Sequence, residues 1–583
     1  MRSTSSRRGE FITRRFNGGL NYAHSYGLTA SELRDGGDFD IFESGAIGSR
    51  RALKPFGTNN IGQPVLNSYA WQDKEGHDHM FAVLSDGVIS VASSGSTTFA
   101  PSVFGLMVDS NSRCVPHFWS AGGYLYVSDG YKVWRWEGVG HPTYDDVTTV
   151  FVHPTSITPV VEKRGVPANC AATTYQNTVF IGNTLVWMTD PDAVWWSAAV
   201  AEQPDGSPHE GELTGQEDFY EDQRITFISG PQADEIVALV AAGPVVYVFK
   251  RHSISAMAST GGPVYSNDIS THLGLSNPNA WAVSGNEVYF FDDNEGLHVI
   301  SGNSAPQSVF DPIYPLLDCG RISHTDGVAV GVDGDRVFVS CCLDSDAGVN
   351  NVTFVLNTKI SAATSRGGAW SRWDVGFTSF TRWQPQSDDS SLVGFTSGAN
   401  DTPMGAVRLN ECSSAIVDDW GFATRVIEPW FLTAFFDDAL PTVRKRWERV
   451  TLHVSGSDRV KLSVSAESGL DAIPLASCNL PDVSRPRLPH NGQGYVDVDL
   501  ATYDCSTSAR IVDTDSWGDV EDNGLTMCET PVATNEVSGA RVVRIAYPGR
   551  GVVFAVEVRD NGSEAAWSIE ELDVKYQTIL EYT

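Results

Sequence analysis

Short apolar runs separated by turn residues dominate the middle of the chain. Residues 81–84 (FAVL) and 88–91 (VISV) are separated by Ser85, Asp86 and Gly87. Two runs of this kind joined by such a turn predict a β-hairpin. Further pairs of runs begin at Tyr124, Thr178, Val245, Val288 and Val337, so hairpins recur about every 45–60 residues.

This recurrence predicts a β-propeller over residues 63–410. Each hairpin matches the middle two strands of a four-stranded blade, and the count gives about six blades, some made irregular by loop insertions. Short strands at regular spacing are also typical of two packed β-sandwiches, which stay open as the alternative. Helical periodicity is absent from these runs, so the predicted fold class is all-β.

The pattern changes after residue 410. Apolar and polar residues alternate in longer runs, for example at 450–454 (VTLHV), 541–546 and 568–574. Six or more such strands predict a C-terminal antiparallel β-sandwich over residues 411–583. Residues 1–62 precede the first predicted blade, and we expect them to form an N-terminal arm that carries a docking motif.

Composition and charge narrow the function classes. The chain has 583 residues, with 72 Asp and Glu against 40 Lys and Arg, and a formal net charge of −32. A protein that grips nucleic acid needs a basic surface, so this balance argues against that class. The same charge suits a conduit whose acidic walls repel phosphate. The longest apolar stretch, 236–249, is broken by Gly243 and Pro244, so we expect no membrane insertion.

Several short motifs, spread over the whole chain, carry a resemblance. Near the N-terminus they are FNGGL at 16–20, LRDGGDFD at 33–40 and GAIGSRR at 45–51. Later motifs lie at 249–254, 274–297, 369–374 (AWSRWD), 426–449, 549–551 and 571–576. Together they resemble the nozzle proteins of short-tailed phages (tail tubular protein B) and related tail accessory proteins.

That resemblance implies a structural part of a virus particle and no enzymatic activity. It implies a ring of six identical subunits that continues the DNA channel, gates genome release and anchors fibre or spike proteins. A tail adaptor or tube protein would be the other neighbour, and viral DNA would pass through the bore without specific binding. The chain would be made in the host cytoplasm and end in the virion tail, with neither cofactor nor metal.

Two sets of residues are the candidates for these roles. An acidic insertion at 202–222 is predicted to line or constrict the channel, or to dock on a basic partner, through Glu217, Asp218, Glu221 and Asp222. Subunit docking is predicted for two motif regions, namely Asn17, Gly18, Gly19, Arg50, Arg51, Arg444, Lys445 and Arg446.

Other functions stay open from the sequence. A glycan-cleaving propeller would need two carboxylates about 5 Å apart at its axis, and a glycan-binding one would use exposed tryptophans. A distal component of a long tail is a third alternative. Walker, G-x-S-x-G and H-E-x-x-H motifs are absent from the sequence, which weakens an enzyme hypothesis.

Two acidic or histidine-containing segments raise the question of a metal. His77 and His79 flank Asp78, but the segment is also a typical polar hairpin tip. A second group offers calcium-type oxygens without the order of an EF-hand, namely Asp35, Asp38, Asp40 and Glu43. Turn formation by Asp beside Gly explains that group equally well.

Overall fold

A computed structural model gives the fold of most of the chain. It describes residues 8–13, 16–22, 28–29, 31–57, 60–93, 98–106, 112–139, 143–149, 165–186, 188–197, 217, 219–227, 234–258, 265–345, 348–360, 368–385, 390–409, 417–434, 445–456, 461–469, 494–499, 511–513, 541–546, 550–551, 553–560 and 566–578. The described part is nearly all β, with a single α-helix, Tyr314–Asp318, and a 3₁₀ turn at Thr325–Gly327. None of its helices has the length and hydrophobicity needed to cross a bilayer.

Six strands precede the first blade. They are β1 (Arg8–Thr13), β2 (Gly19–Leu20), β3 (Glu32–Gly37), β4 (Phe39–Ile41), β5 (Ile47–Ser49) and β6 (Lys54–Pro55).

Seven small sheets, here called blades 1 to 7, then follow one another along the chain. Blade 1 contains β7 (Val65–Gln72), β8 (Asp78–Leu84), β9 (Val88–Ser93) and β10 (Ala100–Leu106). Blade 2 contains β11 (His117–Ala121), β12 (Tyr124–Ser128), β13 (Val133–Trp136) and β14 (Asp145–Asp146). Blade 3 contains β15 (Thr148–Thr149), β16 (Val166–Tyr175), β17 (Thr178–Val186), β18 (Met188–Ser197) and β19 (Phe219–Thr226).

The next three blades repeat this arrangement. Blade 4 contains β20 (Ile236–Ala242), β21 (Val245–Lys250), β22 (Ile254–Ala258) and β23 (Tyr265–Ser270). Blade 5 contains β24 (Trp281–Ser284), β25 (Glu287–Asp292), β26 (Gly296–Ser301) and β27 (Gln307–Ser308). Blade 6 contains β28 (Ile322–Ser323), β29 (Ala329–Asp333), β30 (Arg336–Leu343), β31 (Val352–Asn357) and β32 (Ala369–Trp373).

Blade 7 closes the ring with a strand from the other end of the chain. It contains β33 (Phe377–Trp383), β34 (Ser391–Thr396) and β35 (Ala406–Arg408), and its fourth strand is β6. Val407 pairs with Pro55 and Arg408 with Lys54, antiparallel. One strand from each of the seven blades lines a common cavity, so the sheets form a β-propeller.

The propeller therefore has seven blades where the sequence predicted about six. Five of the six predicted hairpins are the middle strands of blades 1, 2, 4, 5 and 6. In blade 3 the two predicted runs, at 178–181 and 185–188, fall mainly within the single strand β17, whose hairpin partner is β18. Blade 7 escaped the count because β35, the second strand of its middle hairpin, is only three residues long, and its outer strand β6 lies about 350 residues before its partner. The pairing of β6 also extends the propeller beyond the predicted start at residue 63.

Apolar side chains from neighbouring blades interlock and form the propeller core. Phe81 of blade 1 packs on Phe118 of blade 2 with ring centroids 5.6 Å apart. The ring centroids of Phe249 in blade 4 and Phe290 in blade 5 are likewise 5.2 Å apart. Middle strands such as β21 are buried along their whole length because both faces are covered, which explains their unbroken apolar runs.

Eleven described strands follow the propeller. They are β36 (Val417–Asp419), β37 (Thr424–Val426), β38 (Trp430–Thr433), β39 (Lys445–Gly456), β40 (Lys461–Gly469), β41 (Gly494–Asp499), β42 (Ile511–Asp513), β43 (Arg541–Ala546), β44 (Arg550–Gly551), β45 (Val553–Asp560) and β46 (Trp567–Thr578). Strands β36 and β37 form a separate hairpin, and the others join two seven-stranded sheets.

The two large sheets make the C-terminal sandwich, and strands β1 to β5 belong to it. One sheet has the order β4-β5-β46-β39-β43, with β1 on β46 and β44 on β39, and the other has the order β2-β3-β38-β45-β40-β41-β42. Residues 1–62 are thus not a separate arm in their described part, contrary to the prediction. Their apolar residues Leu33, Phe39 and Ile47 are fully buried in the core that also holds Phe431 and Val574.

Candidate functional site

The axial cavity, enclosed by the seven innermost strands, has a volume of about 500 Å³. Cavities of this size accommodate small molecules, whereas duplex DNA is far too wide for them. Its lining contains no Asp or Glu, and Arg382 is the one Lys or Arg side chain among the described lining residues. The carboxylate pair that a glycosidase would need at this position is therefore not in this cavity.

Asn279 spans one end of the axial cavity. Its side-chain amide donates hydrogen bonds to the carbonyl oxygens of Leu66 in blade 1, at 2.6 Å, and Thr378 in blade 7, at 3.4 Å. The backbone carbonyl of Asn279 accepts a hydrogen bond from the backbone amide of Val330 in blade 6, at 2.9 Å. One residue from the loop before blade 5 thus ties together three other blades.

The loop that carries Asn279 is itself held by hydrogen bonds. The Asn277 side chain donates to the Val328 carbonyl at 2.8 Å and accepts from the Asn279 amide at 2.8 Å. This loop follows the GLSN segment at 274–277, one of the motifs behind the phage resemblance. No local pattern indicated the role of Asn279, because its partners lie about 50 to 210 residues away.

Neutral groups make up the rest of the polar lining. The Ser68 hydroxyl lies 2.5 Å from the hydroxyls of both Ser379 and Thr381, between blades 1 and 7. His117 Nε2 lies 2.8 Å from Asn169 Oδ1, and burial lowers the pKa of His117 to about 4. At neutral pH this imidazole is uncharged, so the cavity offers hydrogen bonds and little charge.

A second polar centre, here called the junction, lies where blade 6 meets the sandwich. It is formed by Asp35, Asp38, Asp40, Arg50, Arg336, Arg372, Asp374, Asp418 and Arg425. Arg50 is its centre: Nε contacts Asp38 Oδ1 at 2.7 Å, and the two terminal nitrogens contact both oxygens of Asp418 at 2.8 and 2.5 Å. These three side chains are almost completely shielded from solvent.

The junction carboxylates are held by several donors each. Burial alone would raise the pKa of Asp38, but Arg50 and Arg425 outweigh it and lower that pKa below its usual value. Asp40 Oδ1 accepts from Trp373 Nε1 at 2.9 Å, and its Oδ2 contacts Arg336 at 3.0 Å. Bidentate and multiply donated contacts of this kind are the strong form of ion pairing.

Asp35 completes the aspartates of the predicted calcium group. It accepts from the Tyr22 hydroxyl at 2.8 Å and lies 3.6 Å from Arg372. Burial raises the pKa of Asp35 despite the arginine. All three aspartates are thus engaged by arginine, tyrosine or tryptophan donors, while Glu43 contacts Lys359. The calcium alternative is not supported, because the oxygens already serve protein donors.

The N-terminal glycines allow the chain to pass close to blade 6. Gly19 has a φ of +65°, and a Cβ there would lie 2.5 Å from the Trp370 amide nitrogen. A Cβ at Gly37 would collide with the Asp374 carboxylate. Only glycine fits both positions, so these motif residues are required for packing between the two domains.

Three of the eight predicted docking residues are internal. Gly18, Gly19 and Arg50 are buried, and Asn17 is half-buried. Arg50 in particular cannot dock a second subunit, because its donors are committed to Asp38 and Asp418. The prediction for Arg50 is wrong, because the fold pairs its guanidinium with two buried carboxylates.

The remaining docking residues lie elsewhere. Arg51 is partly exposed and lines a cleft of about 430 Å³ with Glu43, Asp333 and Asp335. Lys445 and Arg446 are part of β39, paired with both β44 and β46. Arg444 lies outside the described residues.

Of the four acidic candidates at 217–222, the structure describes Glu217, Glu221 and Asp222. Glu217 is buried, accepting from the Tyr126 hydroxyl at 2.8 Å and from Arg135 at 3.0 Å. It therefore joins blade 3 to blade 2, and the prediction that it lines a channel is wrong. Glu221 and Asp222 lie on β19, the outermost strand of blade 3, and Asp218 lies outside the described residues.

The histidines at 77 and 79 share one carboxylate. Asp73 Oδ2 lies 3.2 Å from His77 Nδ1 and 3.3 Å from His79 Nε2, and it also accepts from the Val139 amide at 3.1 Å. Despite burial, these donors lower the pKa of Asp73 to about 2. Asp73 thus centres a hydrogen-bonded turn that includes His77, whereas His79 is a fully buried residue of β8 and not part of a polar hairpin tip.

Comparisons with known proteins place the chain near no characterised family. No protein-family model matches it, and no curated protein does. Among solved structures, BBS1N in complex with ARL6DN has 10% identity and a TM-score of 0.36, over 62% of this chain and 99% of that one. The extracellular domain of the putative hybrid two-component system BT4673 from B. thetaiotaomicron has 10% identity and a TM-score of 0.30, over 68% and 56%.

A computationally designed protein, Ika8, is similar at the same level. It has 11% identity and a TM-score of 0.29, over 62% of this chain and 99% of that one. TM-scores this low support no conclusion about function. The propeller assignment rests on the seven sheets and their common cavity.

Proposed function

We propose that the chain is a structural subunit of a bacteriophage tail nozzle, working as part of a ring around the genome path. One observation supports this most. The N-terminal motifs at 16–20, 33–40 and 45–51, the AWSRWD motif and the motif at 426–431 meet at the domain boundary, although Asp40 and Trp373 are 333 residues apart.

These motifs serve packing rather than chemistry. Phe16 packs against Phe431, Gly19 against Trp370, and Asp40 accepts from Trp373. Sequence signatures of an enzyme normally gather around a cleft with reactive groups. Here they fix two domains to each other, which is what a structural subunit of a particle requires.

In this proposal the genome path runs between subunits. The axial cavity is too small for DNA, and Asn279 spans one end of it. A ring of several subunits would create the bore, and the net charge of −32 would keep phosphate from binding its walls. The tail adaptor or tube and the fibres or spikes would contact other faces of the ring.

The experiment that tests the proposal is cryo-electron microscopy of the virus particle that encodes this chain. We expect a closed ring of this subunit around an axial bore in the tail, with the seven-bladed propeller and the sandwich both fitted in density. A peripheral, spike-like position would reject the conduit and favour glycan recognition. Absence of the chain from purified particles would reject the structural role altogether.

A second test concerns the acidic candidates other than Glu217, which is buried. In the proposal, Asp218, Glu221 and Asp222 changed together to Asn or Gln should slow genome ejection while particles still assemble. Asp86, an exposed acid on a hairpin turn of blade 1, changed to Asn is the matched control. Ejection at the normal rate in the triple variant would remove these residues from the channel wall.

A further inference from the structure

The outer face of the sandwich brings together one histidine and two acids. His453 on β39 stands directly opposite Glu571 on β46, and the neighbouring pair is Thr451 with Asp573. Asp573 and Glu571 are two residues apart on one strand, so both side chains point to the same face. All three side chains are half-buried.

A β-bulge creates this arrangement. The register of β46 shifts between the partners of His453 and Val454, so Glu570 is an extra residue in the ladder. Ile569 and Leu572 can both be fully buried on the inner face as a result. Glu570 is exposed and Glu571 half-buried on the other side, and the hydroxyl of Ser455 donates to Glu570 at 2.7 Å. The bulge thus directs Glu571 toward His453 and leaves Glu570 engaged elsewhere.

The ligand atoms of these three residues have the spacing that a metal ion needs. One nitrogen of His453 and one oxygen each of Glu571 and Asp573 lie within 4.8 Å of one another. Bond lengths of about 2.0–2.1 Å to a tetrahedral zinc ion place its ligands roughly 3.3 Å apart. Binding of an ion would therefore draw the three ligand atoms closer together by up to about 1.5 Å.

We propose that His453, Glu571 and Asp573 bind a divalent transition-metal ion of the zinc class. One imidazole and two carboxylates suit Zn²⁺ or Co²⁺, with water in the fourth position. Calcium and magnesium bind six or more oxygens and would gain little from the imidazole. Within the described residues no other group of three or more His, Cys, Asp or Glu meets the same spacing.

The histidine turn of blade 1 shows why this geometry is distinctive. There, two imidazoles approach the same oxygen of Asp73 at 3.2 and 3.3 Å, which is hydrogen-bond geometry. On the sandwich, one histidine faces two separate carboxylates across a strand pair whose inner side is fixed by Leu452, Leu572 and Val574 in the core. A bound ion there would fasten β46 to β39.

The test uses the full chain without an affinity tag, stripped with a chelator. Co²⁺ is added while d–d absorption is followed, and Zn²⁺ binding is measured by calorimetry. We expect one ion per chain, and a thermal unfolding temperature that rises with Zn²⁺ concentration. Loss of even an outer-shell partner costs a site 10–100-fold in affinity, so His453→Ala and Glu571→Gln should each lower affinity at least about 100-fold.

Two variants control for charge and for surface histidines. Glu570→Gln removes the neighbouring acid, and His272→Ala removes an exposed histidine in blade 4, and both should bind one ion as the parent does. If His453→Ala fails to fold, as judged by unfolding in chelator, His453→Gln and Glu571→Gln decide the question. Binding that is not saturable at one ion per chain, or that is equally tight in the folded His453 and Glu571 variants, would overturn the proposal.

Discussion

The junction and the axial cavity both join distant parts of the chain, but with opposite chemistry. At the junction, buried carboxylates and guanidinium groups meet, with Arg50 between Asp38 and Asp418. At the axis, amides and hydroxyls meet, with Asn279 bonded to backbone carbonyls and Ser68 to two hydroxyls. Ion pairs such as those of Asp40 with Arg336 and Asp35 with Arg372 add to the apolar core that the two domains share, whereas neutral hydrogen bonds link the blades around the axis.

This difference shows what each region tolerates. A buried charge cannot lose its partner without a large cost, so the junction permits one arrangement of the two domains. A neutral group can exchange its partner for water at a smaller cost. The axis is thus the more adaptable region, and the junction the more rigid one.

The largest effect is expected at the centre of the junction. Arg50→Met leaves Asp38 and Asp418 buried without their main counter-charge, and we expect the free energy of unfolding to fall by about 3–5 kcal/mol. Urea unfolding measures it. Lys359→Met, which removes an exposed contact to Glu43 and Asp335, is the control and should leave the midpoint in place. If Arg50→Met lowers the free energy of unfolding no more than the control does, the ion pairs of Arg50 do not stabilise the junction.

The axis should respond to pH through His117. Its pKa is lowered to about 4 in the folded chain, against about 6.5 when unfolded. Between these values the unfolded chain binds more protons, so stability is complete above pH 6.5 and falls toward pH 4. Because the imidazole borders the cavity, we expect a loss of about 1–3 kcal/mol.

The measurement compares urea unfolding at pH 7 and pH 4.5 in the parent and in His117→Gln. Burial also lowers the pKa of His79, which contributes to the same window in both proteins. His117→Gln should therefore keep the part of the pH dependence that comes from His79 and lose the part that comes from His117. An unchanged difference between the two pH values would show that His117 is not protected from protonation.

Asn279→Ala should have an effect of similar size. The change removes the hydrogen bonds to Leu66 and Thr378 across the end of the cavity. We expect a loss of about 1–3 kcal/mol, together with faster amide exchange along β7 and β33. Asn286→Ala, at an exposed turn of blade 5, should change neither quantity. Protection of β7 and β33 at the parent level would show that Asn279 does not tie the blades.

The smallest effect is expected at Arg135, which contacts one buried carboxylate, Glu217, and one exposed carboxylate, Asp145. Glu217→Gln keeps the shape of a buried partner and removes its charge, and we expect a loss of about 1 kcal/mol. Asp145 lies 2.8 Å from the same guanidinium but is largely exposed, so Asp145→Asn should have no measurable effect. Equal losses from the two changes would mean that burial does not separate them.

Local patterns predicted the blades well. Runs such as 245–249 are apolar because middle strands are covered on both faces, and a hairpin needs only a turn between neighbours in sequence. Blade 7 and the place of the N-terminal strands could not be predicted in this way. Pro55 pairs with Val407 and Ile47 with Ile569, and no local pattern encodes a partner so far away.

The same limit explains the errors at single residues. Arg50 and Glu217 are charged, and charged residues are usually exposed, so both were predicted on surfaces. Their partners Asp418 and Arg135 come from distant segments that only the folded chain brings near. The sequence did not predict the group His453, Glu571 and Asp573, because VTLHV and EELDV are ordinary strand sequences. Only the pairing of the two strands aligns His453 with Glu571.

The closing strand of blade 7 has a consequence for how the protein is made. Lys54 and Pro55 leave the ribosome about 350 residues before their partners in β35, a delay of roughly 20–70 s at the usual 5–20 residues per second. Strand β5 waits still longer for β46. The propeller ring can therefore be completed only once residue 408 has been made, and the sandwich only near the end of synthesis. Until then the N-terminal strands stay exposed, and a chain interrupted before residue 406 could never complete its ring.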